Sequence, residues 1–384
     1  MSNRIISIDI LRGMAIMGIL LVNAPTLNGP PILDAFDFSF QETTWDIIYS
    51  QFIMVFAMGK FYPIFAFLFG ISAAIFIGRF DQRTFLRRQY ILILLGICHG
   101  IFVWWGDILT VYGILGMPLI FLNKKSPRFI LNLLLFMVGV GLLLTFFTAL
   151  VPANKTLLYD INTSLIYQNG NFLDVSAQRM NDYLGVFLPG FFYKLNLIDC
   201  MNCFLYFWQL LILFVAGYYW HISGMLKKLT EDAHFALNSF WFCLVMFLVF
   251  TLLSLINFTA EFVSDWQHLS QGLLYGSLIL CLCHYRTLKI FMPFAQVGKM
   301  SLSNYLFHTS SLSLLFYGYG LGLYGQVGPA SQLPWVIILM LSSLVFSNLW
   351  LKYFYFGPVE WLWRAATKGY FSPMIKREKS AVVF

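Results

Sequence analysis

Along this chain the hydrophobic positions gather into long, nearly uncharged runs. They show neither the alternation of half-buried strands nor the narrow apolar stripe of soluble amphipathic helices. Charged residues and Pro, Gly or Asn divide them into about ten runs, roughly 5–24, 47–78, 89–105, 108–122, 129–151, 203–222, 236–257, 269–284, 290–318 and 334–353. Most approach or exceed the ~20 apolar residues that carry a helix across a hydrocarbon core of about 30 Å. A helix satisfies its own backbone hydrogen bonds, which lipid cannot. The pattern therefore predicts an all-α, polytopic membrane helical bundle of about ten transmembrane helices.

The punctuation also sets an orientation. One set of flanks holds Arg4, Arg12, Arg79, Arg83, Arg87, Arg88, Lys124, Lys125, Arg128, Lys227, Lys228, Arg286 and Lys289. The other set holds Lys155, Arg179 and Lys194 against ten carboxylates, among them Asp34, Asp46, Asp160, Asp182 and Glu261. Basic flanks face the cytoplasm, so both termini are expected there. Residues 1–370 read as one transmembrane domain with outer loops 25–46 and 152–202, followed by a basic cytoplasmic tail, 371–384. The stretch 184–197, with Pro189 and Gly190, reads as an interfacial or re-entrant piece. Asn23-Ala24-Pro25 lacks a small-x-small cleavage pattern, so the first helix is expected to remain as an anchor.

Composition agrees and narrows the function. The chain is 59% hydrophobic and 11% charged, against about 25% charged in a soluble domain. Its net charge of +7 follows topology, so no nucleic-acid partner is expected and the lipid bilayer is the first partner. Neither Gly-rich phosphate loops nor zinc-type Cys/His spacing occurs, and no bound cofactor or metal is expected. Four of the six cysteines lie in apolar runs. Cys200-Met-Asn-Cys203 sits on the expected outer side as a redox pair, two ordinary thiols or a structural disulfide.

Polar residues inside the runs carry the candidate chemistry, because charge at membrane depth faces protein or a water-filled cavity. Asp9, Arg12 and Asn23 fall within about 60° of one another on the first helix. Gly59-Lys60-Phe61-Tyr62-Pro63 interrupts the second run, and Pro63 predicts a kink or break with Lys60 beside it, facing a cavity or snorkelling. His99, read about ten residues into its helix and hence near mid-depth, is a structural donor or a general base. Asp107 follows Trp104-Trp105, which read as an interfacial aromatic belt. Lys299, Asn304 and His308 belong to an unusually polar run that lines a cavity or acts as interhelical glue. Near the end, Pro358 opens a surface helix, with Glu360 and Arg364 spaced for an i,i+4 pair.

Five motifs in order resemble the YeiB-like bacterial inner-membrane proteins (domain of unknown function 418). They are Ser7-Ile8-Asp9 through Arg12-Gly13 to Asn23; Lys60-Phe61 to Leu68-Phe69-Gly70; and Leu95-Gly96 through His99-Gly100 to Gly106-Asp107, Tyr112-Gly113. Gly298-Lys299-Met300 to Asn304-Tyr305-Leu306 and Gly357-Pro358 to Glu360-Trp361, Trp363-Arg364 complete the set. The opening motif is similar to that of transmembrane acyltransferases such as heparan-glucosaminide N-acetyltransferases. That resemblance implies transfer from a cytoplasmic acyl-CoA to an acceptor on the outer side. It implies that Asn23 matches an active-site asparagine. The histidine expected in the following loop is missing from 25–46, which hands the base role to His99 or His308, with His99 preferred.

On this reading the catalytic group is His99, Asp107 and Asn23. Asp9, Arg12, Lys60, Arg87, Arg88, Lys299, Asn304 and His308 line the substrate path, the arginines and Lys299 meeting the phosphates of coenzyme A. Asn23 or Lys60 supplies a hydrogen bond to the thioester oxygen. A carrier or channel without covalent chemistry would use the same buried charges as a pathway. A scaffold would use the polar stripes only as glue.

Overall fold

A computed structural model describes residues 6–29, 43–149, 161–187, 197–255, 260–284 and 288–376. The centres of both outer segments lie outside these residues, as do most of the 184–197 stretch and the end of the basic tail, 377–384. Among the described residues the protein is all-α, with one isolated bridge between Phe354 and Ile375.

The helices are α1 (Ile6–Asn28), α2 (Thr44–Phe56), α3 (Phe61–Ile77), α4 (Gln82–Phe102), α5 (Leu109–Gly116) and α6 (Pro127–Ala149). Then follow α7 (Ile161–Asn169) and α8 (Phe172–Phe187). The rest are α9 (Leu197–Ile222), α10 (Met225–Glu231), α11 (Ala233–Leu255), α12 (Ala260–His284), α13 (Leu288–Lys299), α14 (Ser301–Phe316), α15 (Leu333–Tyr353) and α16 (Pro358–Lys368). Seven helical stretches among them are long and apolar enough to cross a membrane.

Three of the ten expected runs differ from simple spans, each for a local reason. The run 108–122 is α5 followed by a 3-10 turn, Met117–Leu122, whose Pro118 cannot donate to an α-helical ladder. The run 269–284 is the latter part of α12, whose first turns carry Glu261 and Asp265. The run 290–318 breaks at Met300 into α13 and α14. There Glu360 of α16 accepts from the backbone N–H groups of Leu302 (2.8 Å) and Ser303 (3.1 Å). A carboxylate satisfying orphan N–H groups stabilises a helix start inside what would otherwise be one long helix. The expected break before Pro63 is present as a turn over residues 57–60. In the opposite sense, α1 continues through Pro25 to Asn28, one turn beyond the expected end. Asn28 holds it there, donating to Val327 O (2.8 Å) and accepting from Gly325 N (3.0 Å).

Close backbone packing draws the bundle together. A Cβ on Gly13 would lie 1.9 Å from Phe294 O, and one on Gly298 1.9 Å from Asp9 O, so α1 and α13 touch through paired glycines. Gly70 and Gly217 do the same between α3 and α9, with would-be Cβ contacts of 2.1 and 2.0 Å. Lipid gives helices no hydrophobic reason to associate, so small residues that admit close van der Waals contact take over that role. The helices α6, α11 and α15 show much apolar surface outward, including Phe136, Phe242 and Ile338, as lipid-facing helices do.

Candidate functional site

The site is built at one end of α4. Asp81 caps its start by accepting from Thr84 N (3.2 Å), so the helix begins earlier than the apolar run suggests. His99 consequently sits in the last turn, roughly 25 Å from Gln82 along the axis, and not half-way along the helix. Asp107 lies in the turn that reverses the chain into α5. Its Oδ1 is 3.0 Å from His99 Nδ1, and its Oδ2 accepts from Thr110 N at 2.8 Å. Gly96 allows this turn to lie against α4, because a Cβ there would meet Thr110 Oγ1 at 2.3 Å and Asp107 Oδ2 at 2.5 Å. The other face of the imidazole is met by α14, where Thr309 Oγ1 lies 2.9 Å from His99 Nε2. The His99 and Asp107 side chains are 1% and 0% exposed.

The result is a buried carboxylate–imidazole–hydroxyl relay. Thr309 Oγ1 also lies 3.0 Å from Tyr305 O, and its single proton can serve only one partner at a time. With neutral imidazole, Nδ1–H faces Asp107 and the Thr309 hydroxyl donates to Nε2. With imidazolium, both ring N–H groups donate and the hydroxyl turns to Tyr305 O. The hydroxyl rotor thus suits both states of a base that takes and returns a proton. The Tyr305 ring lies tilted beside the imidazole, 5.1 Å between centroids, and its buried hydroxyl has no hydrogen-bond partner of good geometry.

The helix α8 closes over this group. Tyr183 donates to Thr110 Oγ1 (2.7 Å), and Arg179, fully buried, donates to Val103 O just beyond the end of α4 and to Ser176 Oγ (3.2 Å). Trp104 and Trp105 are buried at 5% and 8% exposure, so they do not form an interfacial belt. The reason is the layer of α7 and α8, which packs Tyr167, Val175 and Tyr183 against them.

The other residues singled out from sequence occupy three further places. At the basic end, Arg12 pairs with Asp9 (3.3 Å) and donates to Ser72 Oγ (3.1 Å), while Lys299 donates to Gln296 Oε1 (3.3 Å). Arg87 is exposed there, and Arg88 lies against the rings of Trp363 and Phe76. Lys60 is 1% exposed and donates to Met54 O (2.6 Å), a carbonyl freed by the break after α2. Gln271 does the same for Val55 O (3.0 Å). Asn304 donates to Ser347 Oγ (2.9 Å), and His308 Nε2 lies 2.6 Å from Ser343 Oγ, which ties α14 to α15. Asn23 is half-buried, and no hydrogen bond joins its side chain to His99 or Asp107 among the described residues. Among the described residues Cys200 and Cys203 are not joined by a disulfide.

Comparison with known proteins agrees with the motifs that the geometry brings together. Residues 220–370 match the family model described as protein of unknown function (DUF418). The chain is 27% identical to the uncharacterized protein YxaH of Bacillus subtilis (strain 168), across 98% of each chain. It is 29% identical to the uncharacterized protein YeiB of Escherichia coli (strain K12), across 97% of this chain and 99% of that one. The chain is thus similar over nearly its whole length to these two uncharacterized proteins, and over residues 220–370 to the DUF418 family model.

The matched stretch runs from the end of α9 to just past α16 and supplies Thr309, Tyr305 and Glu360. His99 and Asp107 lie before it, inside the full-length similarity. The relay therefore joins the two parts. Sequence reading singled out His99 and Asp107 but missed Thr309, which adjoins His308. Thr309 shares a helix face with Tyr305, four residues earlier, whereas His308 shares one with Asn304. Glu360 was paired with Arg364 and instead turns inward. Its burial pushes its pKa up, while the hydrogen bonds from Ser303 and Leu302 oppose that rise. Among the described residues no cluster of His, Cys, Asp and Glu has the arrangement of a metal site.

Proposed function

We propose that this bacterial membrane protein is an inner-membrane acyltransferase that carries an acyl group from a cytoplasmic acyl-CoA to an acceptor on the outer side. The observation that supports this reading is the His99 ring held between Asp107 and Thr309. Carboxylate, imidazole and hydroxyl in that order are the parts of nucleophilic acyl transfer. Thr309 Oγ attacks the thioester carbonyl while its proton passes to His99 Nε2, and Asp107 holds the ring and balances the imidazolium. The C–S bond breaks, and the leaving sulfur takes the proton from His99. An acceptor hydroxyl then attacks the threonine ester, gives its proton to His99, and Thr309 Oγ recovers that proton as it leaves. Tyr305, a buried hydroxyl beside the ring, donates to the oxyanion.

The test is purified protein in nanodiscs with labelled short and long acyl-CoA. Release of free coenzyme A, with an acyl mass on the peptide containing Thr309, is the expected result. Both should disappear in Thr309→Val and fall by about 10²–10⁴ in His99→Ala. Full turnover in both variants, or no thiol release from any donor, refutes the reading.

A second reading, a carrier of a small solute or lipid group, draws on Lys60. Its buried ammonium binds a carbonyl freed by the broken helix, a device found where helices are interrupted at transport sites. Gradient-driven uptake into liposomes without thiol release would select it.

A further inference from the structure

A cavity of about 430 Å³ opens where α3 and α9 end, beside the turn between the 3-10 segment Met117–Leu122 and α6. Its two helical walls belong to stretches apolar enough to cross a membrane, and those stretches stop there, at Ile77 and Ile222. The cavity thus lies at the level where a bilayer gives way to water. Its lining divides by chemistry. Ala74, Leu122, Tyr218 and Ile222 form an apolar wall. Asn123, Lys124, Lys125 and His221 supply hydrogen-bonding groups, two of them fixed positive charges. No carboxylate belongs to the lining. Among the described residues neither lysine nor His221 enters an ion pair; the Lys125 ammonium lies 5.5 Å from the Phe129 ring.

The lysines are presented by a closed turn. Asn123 N–H donates to Ile120 O and Lys125 N–H to Leu122 O, both at 3.1 Å. Lys124 between them has φ 62°, the left-handed region that a lysine enters only at a cost. Strain of this kind persists where the surroundings fix it, and it points to function. Size and polarity then select the ligand. The volume falls within the range of about 300–1,000 Å³ typical of small-molecule sites, more than a bare inorganic anion fills. Lysines at a membrane surface attract phosphate. An apolar wall beside them does nothing for a soluble anion, but it removes the first carbons of an acyl chain from water.

We infer that this cavity binds an anionic phospholipid, its headgroup phosphate against Lys124, Lys125 and His221 and its upper chain carbons on the apolar wall. None of the lining residues belongs to the His99 group, so the site holds whichever activity that group has.

Native mass spectrometry of the full-length protein, released from nanodiscs of equal phosphatidylglycerol and phosphatidylcholine, tests this. Phosphatidylglycerol should be retained in preference. Retention should fall about fivefold in Lys125→Gln and about 25-fold in Lys124→Gln/Lys125→Gln, as expected for the attraction of each surface lysine. Lys227→Gln is the control, since Lys227 is exposed on α10, outside the lining and 3.8 Å from Glu231; it should change nothing. An equal fall in Lys227→Gln would reveal diffuse surface attraction and overturn the site. Lys124→Gly guards against misfolding, because glycine adopts φ 62° without strain. Its unfolding temperature should not drop, while its lipid retention should. Glycerol 3-phosphate, added to phosphatidylcholine nanodiscs, carries the phosphate without the chains. Saturable binding of that probe with the same variant dependence, and no retained phosphatidylglycerol, would make the ligand a soluble phosphate and refute the lipid assignment. Equal retention of the two lipids, or identical retention in every variant, overturns it as well.

Discussion

Two buried histidines in this bundle face a hydroxyl from another helix, and they differ in what stands behind them. His308 lies 2.6 Å from Ser343 Oγ, with no carboxylate at ion-pair distance among the described residues. His99 lies 2.9 Å from Thr309 Oγ1 and has Asp107 on its other nitrogen at 3.0 Å. An imidazole with one neutral partner is interhelical glue, because nothing stabilises its cation. An imidazole backed by a carboxylate can accept a proton from the hydroxyl and hold it. The surroundings differ accordingly. His308 sits in a ladder with Asn304, Ser343 and Ser347, whereas His99 sits in a chain that extends through Asp107 and Thr110 to Tyr183. Residue type alone does not separate the two; the second nitrogen does.

The sharpest way to break the His99 group without touching the His308 ladder is through Gly96. An alanine there places its Cβ within 2.4 Å of Thr110 N, a backbone atom that cannot rotate away. Gly96→Ala should lower stability by about 3 kcal/mol, measured by unfolding in detergent. Gly139→Ala, with nothing within 4 Å of its Cβ, should leave stability unchanged or slightly raised. Equal effects would mean that the turn carrying Asp107 is not held against α4 as described.

Asp107→Ala comes next. It leaves His99 Nδ1 and Thr110 N buried without their acceptor, at a cost of about 2–3 kcal/mol. Ser343→Ala, the matching truncation at His308, should cost about 0.6 kcal/mol. A double-mutant cycle between His99 and Asp107 should give a coupling several times that between His308 and Ser343. Similar couplings would remove the distinction between relay and glue.

Glu360→Ala probes a third kind of buried polar group, one that serves a helix start. Its loss exposes Leu302 N and Ser303 N as orphans at the beginning of the helix that carries both Thr309 and His308. A drop of about 1 kcal/mol is expected, as for a lost N-cap. Glu360→Gln, which keeps an acceptor, should recover part of it.

How much of this was legible depends on how local each cause is. Membrane helices were readable because apolar run length and charge punctuation are written along the chain. The break at Lys60 was readable because Pro63 acts on its own neighbours. The break at Met300 was not, since its cause is Glu360, sixty residues away. His99 and Asp107 stand out by their chemistry, yet the place of His99 in its helix does not, because Asp81 starts α4 before the apolar run begins. Thr309 was invisible as a partner, since a threonine in a membrane helix has many ordinary uses. Trp104 and Trp105 misled because an outer layer built from residues far along the chain covers them.

The smallest effect lies at the far end of the ladder. Asn304 donates to Ser347 Oγ and sits 3.3 Å from Val297 O, so removing the serine hydroxyl leaves the amide one remaining acceptor. Ser347→Ala should therefore cost no more than about 0.6 kcal/mol, within the range of interhelical hydrogen bonds in lipid. Acyl transfer, or solute uptake if that is the activity, should be unchanged, because among the described residues Ser347 bonds to Asn304 and not to the His99–Asp107 group. Thr309→Val removes a hydroxyl of similar size on the other face of the same helix, at a similar loss of stability. It should abolish transfer. Two hydroxyls of similar energetic worth and opposite functional weight separate a ladder from a relay, and equal activity in the two variants would show α14 to be glue on both faces.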